Sequence, residues 1–357
     1  MKLTKREVLS NVMAFIALAL FQSFISFIYA HSESQPTAFK IPDAEVCLRD
    51  QNQGNYSTCH AFCTGCTMKV VYSRSPKVIP GRLSMQWITM LSMAKKLCDS
   101  EYSERQSFDT MINQGWFAHE NLALLSQVGV CNEESYHEYD PNLSYSEIVE
   151  DWFLGFFARN GKGTNRRPDR EDSNWYKQFG ISSKHAYDLF CPKRNTPLSA
   201  TFQRGNREFL KKLEQLSQNG QISKKFYRCA HESLLRAEAL RGRQLNKGIP
   251  NCDKTIFSNN PVTQLKNALK NENLPIPISI KTGAGLDGAH CISVIGWDSK
   301  GFITINSWGN DTTYDHIPYD KANEALLRMY LPSNCGIAKG GNAAEKNDSR
   351  RSLEGDR

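Results

Sequence analysis

Residues 53–66 read QGNYSTCHAFCTGC and put Cys59, Cys63 and Cys66 within eight positions. Thiols this close can do several kinds of chemistry. The Cys-x3-Cys-x2-Cys spacing matches three thiolates chelating one iron–sulfur centre. Cys63-Thr64-Gly65-Cys66 has the form of a redox pair on a helix, where such a motif lowers its thiol pKa. Cys59, His60, Cys63 and Cys66 have the residue types of a zinc site, but neighbours on a helix diverge by about 100°, so Cys59 and His60 do not easily face one ion. In the fourth case Cys59 is a nucleophile, and Cys63 and Cys66 are disulfide partners or small buried hydrophobes. An oxygen-sensitive cluster needs a reduced compartment. The βαβ pattern that accompanies a redox pair is absent from the sequence.

A cysteine nucleophile needs a lowered pKa, a base, a group that orients the base, and donors for an oxyanion. A helix beginning near Thr58 would supply the first, since its amino terminus carries about half a positive charge. Gln53, six residues before Cys59, offers a side-chain amide as oxyanion donor beside the cysteine's own N–H. Far downstream, His290 in AHCISVIGW and Asn306 in INSWG lie 16 residues apart. On adjacent strands of one hairpin they can meet, with Asn306 holding one imidazole nitrogen and the other left for Cys59. Trp308 would cover that hydrogen bond and keep water out.

The elements that must position these residues follow from local pattern. CHAFCTGCTMKVVYS carries no proline and a single glycine and predicts a buried helix, with Ser57 or Thr58 as N-cap. Ser84 to Leu97 predicts a second, amphipathic helix, and Asn121 to Val128 a third ending at Gly129. Residues 31–50 are irregular, and 141–250 are charged and glycine-punctuated with helical patterns near 207–217 and 222–240. After Pro261 the character changes. Val262 to Asn271 predicts a short helix, Pro275 to Ile280 opens a β-rich region, and 290–297 and 301–306 form two strands joined at Asp298-Ser299-Lys300-Gly301. Helices first and strands last predict an α+β fold with two lobes.

Bulk properties narrow the class. A hydrophobic content of 40% and a charged content of 23% are those of a globular chain. Setting aside Lys2, Lys5, Arg6 and Glu7 lowers the net charge of +7 by two, and no concentrated basic stripe stands out. Arg166, Arg167 and Arg170 are diluted by Asp169, Glu171 and Asp172, as on a solvated loop, so no nucleic-acid partner is expected. Residues 1–30 have the charged start, apolar middle and small-residue end of a secretory signal, with a membrane anchor as the alternative if they are not cleaved. Either way the rest lies outside the cytosol. In an oxidising compartment most of the 11 cysteines pair, and an odd total leaves a thiol over. Spacing does not determine which cysteines pair.

The motifs together resemble those of the papain-like (C1-type) cysteine peptidase family. Asn52-Gln53-Gly54 followed by Cys59-His60-Ala61-Phe62 is similar to its N-Q-G…C-W-A-F signature, and His290 with Asn306-Ser307-Trp308-Gly309 to its H…N-S-W-G signature. Leu83-Ser84-Met85-Gln86, Asn113-Gln114-Gly115-Trp116 and Gly129-Val130…Glu133-Glu134-Ser135-Tyr136 resemble further family segments, as does Gln264 to Leu269 before Pro275-Ile276-Pro277-Ile278. The resemblance implies a papain-like two-lobed fold over 31–335, with a helical first lobe, a β-barrel-like second lobe and a divergent insertion at 141–261; the tail at 336–357, poor in apolar residues, is expected to be disordered. It implies Cys59 as nucleophile, His290 as acid/base, Asn306 as orienter and Gln53 as oxyanion donor. Gly115, Trp116 and Trp308 would bind substrate. The expected protein is an exported monomeric peptidase that acts on peptides or proteins, needs no cofactor and has no membrane contact once the signal is removed.

Some positions depart from the family pattern. His60 replaces a tryptophan, Tyr56 a normally disulfide-bonded cysteine and Gln114 a glycine. Asn310-Asp311-Thr312-Thr313 follows N-S-W-G in place of the usual W-G…G-Y continuation, and only about 28 residues separate Ala30 from Cys59, too few for an inhibitory propeptide. The alternative function is a catalytically weak scaffold that binds a partner through 141–261. A transglutaminase-like Cys-His-Asp enzyme is a third, opposed by Asn306 where an aspartate would stand.

Overall fold

The computed structural model describes residues 37–48, 53, 58–75, 82–98, 118–133, 180–181, 185, 206–241, 252, 254–281, 289–307 and 314–337. The chain divides into an amino-terminal unit, Met1–Phe39, and a larger unit, Lys40–Arg357, to which all elements below belong. Helices α1 (Cys59–Ser73), α2 (Met85–Cys98), α3 (Ala118–Val128), α4 (Asn206–Gln218) and α5 (Lys224–Arg241) come first. Then follow β1 (Lys254–Ile256), α6 (Pro261–Glu272), β2 (Ile276–Lys281), β3 (Ala289–Trp297), β4 (Phe302–Ile305), β5 (Asp315–Ile317), α7 (Tyr319–Ala325) and β6 (Leu326–Tyr330). These strands pair antiparallel in the order β1-β6-β2-β3-β4-β5. The class is α+β, with the helices and the sheet largely separated along the chain, as the change of pattern near Pro261 predicts.

Helix α1 is the centre of the unit. It is buried from Cys59 to Tyr72 because it has no polar face, and such a helix has to be covered on every side. Strands β2 and β3 lie on one side and α2 and α3 on the other. At Gly65 a Cβ would stand 2.8 Å from the Met85 side chain, so the glycine lets α2 approach closely. Two threonines of α1 find hydrogen-bond partners. Thr64 Oγ1 donates to the His60 carbonyl at 2.7 Å, and Thr67 Oγ1 donates to the Pro275 carbonyl at 2.9 Å. Asn121 Nδ2 on α3 donates to the His60 carbonyl at 3.3 Å.

The sheet is framed by standard devices. Asn260 caps α6 by accepting the Thr263 N–H at 3.1 Å, Pro261 takes the first helical position, and Asn273 ends the helix in the left-handed region at φ 51°. The β3–β4 hairpin closes where Asp298 Oδ1 accepts the Lys300 N–H at 2.7 Å and Gly301 adopts φ 145°. A Cβ there would lie 2.2 Å from the Ile317 carbonyl oxygen, a place only glycine can take.

Four disulfides tie the described residues: Cys47–Cys66, Cys63–Cys291, Cys131–Cys229 and Cys252–Cys335. Several such bonds fit an oxidising compartment. The stretch expected to be irregular before Asp50 contains a 3-10 turn, Ala44–Leu48, which the Cys47–Cys66 bond fastens to α1. Helix α3 begins at Ala118, three residues before the expected start at Asn121. Of the described part of 141–261, α5 packs on α3 and α4, whereas Lys254–Ile256 joins the sheet as β1. Arg236 on α5 is buried, bridges to Glu232 at 2.7 Å, and donates to the Val130 carbonyl at 3.0 Å and to Asn132 Oδ1 at 2.6 Å. Gly336 and Ile337 belong to the folded unit, with Ile337 buried and its N–H donated to the Pro332 carbonyl at 3.1 Å. The tail beyond them lies outside the described residues. So do residues 1–30, the expected signal. Among the described residues no helix is long and apolar enough to cross a membrane.

Candidate active site

Cys59 is the first residue of α1, and its thiol is the free one among the described cysteines. The cluster of three therefore separates. Cys63 is bonded to Cys291 on β3, and Cys66 to Cys47 in the 3-10 turn. Neither is left as a thiolate for a zinc ion or an iron–sulfur centre, and they are not bonded to each other as a redox pair. Helical periodicity explains the division. Cys59, Cys63 and Thr67 recur every four residues on the face turned to the sheet, while Cys66 points elsewhere.

The thiol meets the sheet at β3. The backbone N–H of Cys291 points at Cys59 Sγ over 3.4 Å. The preceding residue is His290, only 6% exposed, whose Nε2 lies 2.8 Å from Asn306 Oδ1 just beyond β4. Asn306 Oδ1 also accepts the Ser307 backbone N–H at 2.7 Å. A backbone N–H can only donate, so the amide atom facing both groups is the oxygen, an acceptor. The proton between the two side chains therefore belongs to His290 Nε2. The neutral ring then carries its lone pair on Nδ1, the nitrogen a base would use. Strand alternation keeps the roles apart, because Cys291 and Ser293 face α1 while His290 turns to Asn306.

Gln53 is placed by Ser307. Its N–H donates to the Ser307 carbonyl at 2.8 Å, and its Oε1 accepts the Ser307 hydroxyl in a short hydrogen bond. With the oxygen so engaged, Nε2 is the donor end of the Gln53 amide. Ser307 was not singled out from the sequence, although its position directly after Asn306 is a signal that could have marked it. Cys291, directly after His290, is a second such residue. Tyr330 on β6 is a third, with its hydroxyl 2.6 Å from Ser279 Oγ and its ring stacked on His119 at 5.5 Å.

Burial sets the electrostatics. Cys59 is 9% exposed, and loss of solvent pushes its thiol above the ordinary value, against the pull of the N–H groups of Cys291, His60 and Cys59 itself. Burial thus opposes the lowering expected from the helix terminus. Burial also holds His290 below the ordinary imidazole value, and the Asn306 hydrogen bond partly restores it. Both shifts favour the neutral thiol and the neutral imidazole at neutral pH. The Tyr330 phenol is raised by burial, and charge on Cys59 raises it further, against Ser279 and Arg328.

Of the residues expected to form a site, the structure gathers Cys59, His290, Asn306 and Gln53 at the junction of α1, β3 and the end of β4. Gly115, Trp116 and Trp308 lie outside the described residues. Among the described residues, no group of histidine, cysteine and carboxylate side chains is arranged to hold a metal ion. In comparisons with known proteins, no protein-family model matches the chain, and no curated protein matches it in sequence.

Proposed function

We propose that the chain is an exported cysteine peptidase of the papain-like kind, acting on peptides or proteins as a monomer. One observation carries this reading: Asn306 holds His290 through Nε2 at 2.8 Å and leaves Nδ1 as the basic nitrogen, on the residue preceding Cys291, whose N–H reaches the buried free thiol of Cys59. His290 Nδ1 takes the Cys59 proton as sulfur attacks the substrate carbonyl carbon. The oxyanion accepts hydrogen bonds from the Cys59 N–H and from Gln53 Nε2. As the intermediate collapses, the imidazolium gives its proton to the departing amine and a thioester remains. His290 next takes a proton from water, which attacks the thioester and releases the acid. In this reading the helices form one lobe and the sheet the other, and substrate lies across their junction. The disulfides and the signal-like residues 1–30 support export.

A second reading, a catalytically weak scaffold that binds a partner, draws on the burial that pushes the Cys59 thiol up. One experiment separates them. The purified chain is treated with iodoacetamide at neutral pH, the label is mapped, and hydrolysis of a peptide mixture is followed for it and for Cys59→Ala. The peptidase reading expects preferential labelling of Cys59, and hydrolysis that disappears both on labelling and in Cys59→Ala. Hydrolysis that survives in Cys59→Ala, or no hydrolysis by the unlabelled chain, overturns it.

A further inference from the structure

The Cys63–Cys291 bond joins two elements at the residues beside the candidate site. Cys63 is one helical turn after Cys59 on α1, and Cys291 directly follows His290 on β3, so 228 residues of sequence separate its two halves. The other disulfides of the described residues lie away from this contact. Cys47–Cys66 fastens the 3-10 turn, Cys131–Cys229 joins the end of α3 to α5, and Cys252–Cys335 joins residues near the β1 edge. The same helical face is tied to the sheet at each turn. Cys291 N–H meets Cys59 Sγ at 3.4 Å, Ser293 Oγ donates to the Cys63 carbonyl at 3.0 Å, and Thr67 Oγ1 donates to the Pro275 carbonyl at 2.9 Å. Of these ties only the disulfide is covalent.

We propose that Cys63 and Cys291 are positioning residues, their disulfide holding the Cys291 N–H on the Cys59 sulfur and keeping His290 beside the nucleophile's helix. The proposal rests on the peptidase reading for its effect on turnover, but its effect on the thiol stands apart from that reading. A backbone N–H aimed at sulfur stabilises the thiolate over the thiol. A one-turn staple leaves this donor little freedom to drift, whereas a lone hydrogen bond to sulfur at 3.4 Å would be weak and easily opened. The bond also gives the site an unusual response to reductant. A dithiol that reduces Cys63–Cys291 yields two cysteine thiols and its own cyclic disulfide, and it loosens the helix–strand contact while leaving Cys59 a thiol throughout. Reduction past that point lowers activity.

The backbone N–H groups of Cys291, His60 and Cys59 itself act on the thiol. The titratable side chain coupled to it is Tyr330 on β6, with Arg328 on the same strand and His119 of α3 stacked on its ring, while His290 precedes Cys291 on β3. The test compares the full chain with Cys63→Ala/Cys291→Val, an apolar pair that fills much of the lost volume. The pH dependence of iodoacetamide labelling at Cys59 is measured for both, with circular dichroism as a check on folding. The proposal expects a folded variant whose labelling midpoint rises by about one pH unit, a roughly tenfold slower labelling at neutral pH, with kcat reduced and KM little changed. A folded variant with an unchanged labelling profile overturns it. If the variant does not fold, the wild-type chain is reduced stepwise by dithiothreitol, and opened bonds are mapped by differential alkylation. Slower Cys59 labelling that tracks opening of Cys63–Cys291 supports the proposal, and labelling indifferent to that bond overturns it. A chain that hydrolyses nothing but still shows the labelling shift counts against the peptidase reading alone.

Discussion

Replacing Asn306 by alanine removes one oxygen that serves two donors, His290 Nε2–H at 2.8 Å and the Ser307 N–H at 2.7 Å. During acylation His290 becomes an imidazolium, so the lost bond is one to a charged donor, worth about 1.5–3 kcal/mol. At about 1.4 kcal/mol per factor of ten, kcat/KM falls about 10- to 150-fold. The pH profile gives a sharper readout than the rate. Burial already holds His290 below its ordinary value and the Asn306 bond opposes that, so Asn306→Ala lowers the imidazole pKa further. Activity needs neutral His290 and is lost as pH falls through its pKa, so the acid limb of kcat/KM moves to lower pH. Asn306→Asp puts a negative charge beside the ring and moves the same limb to higher pH. The assay is kcat/KM for a fluorogenic peptide across the pH range, with a thermal melt to confirm folding. An acid limb that stays in place or rises in Asn306→Ala refutes the assignment of His290 as the base held through Nε2.

Three other expectations follow from single contacts. Ser307→Ala frees the Gln53 oxygen from its short hydrogen bond, so the oxyanion donor loses its setting; kcat should fall by about tenfold, the scale of one weakened donor, with KM nearly constant. Gly129 lies at φ 72° with Ser233 O only 2.0 Å from where a Cβ would stand, so Gly129→Ala should cost at least about 2 kcal/mol in denaturant unfolding. Arg236→Ala leaves Glu232 without its 2.7 Å partner and takes two hydrogen bonds from residues 130–132, so the melting temperature should drop by an amount equivalent to about 3 kcal/mol. An Arg236→Ala melt within a degree of wild type would show that α5 is not held through this residue.

The residue types of the candidate site are legible in the sequence. Cys59 at a helix start, Gln53 six residues before it, and His290 and Asn306 on adjacent strands of a hairpin carry their own chemistry. The α+β order was legible as well, because the apolar pattern passes from helical to strand-like after Pro261 and the turn residues Asp298 and Gly301 mark the hairpin. These are local signals, written in spacing and propensity. Disulfide pairing is not local. Cys63 and Cys66 are three residues apart in sequence, yet they face different directions from one helix and find partners at 291 and 47. The balance of forces on Cys59 is likewise tertiary. A helix terminus alone would lower its pKa, but packing under the sheet removes solvent, and burial outweighs the donors around it. Sequence by itself determined which groups could react, whereas folding decided which of three neighbouring cysteines stayed a thiol, which imidazole nitrogen kept its proton, and how far the surroundings resist charging either one.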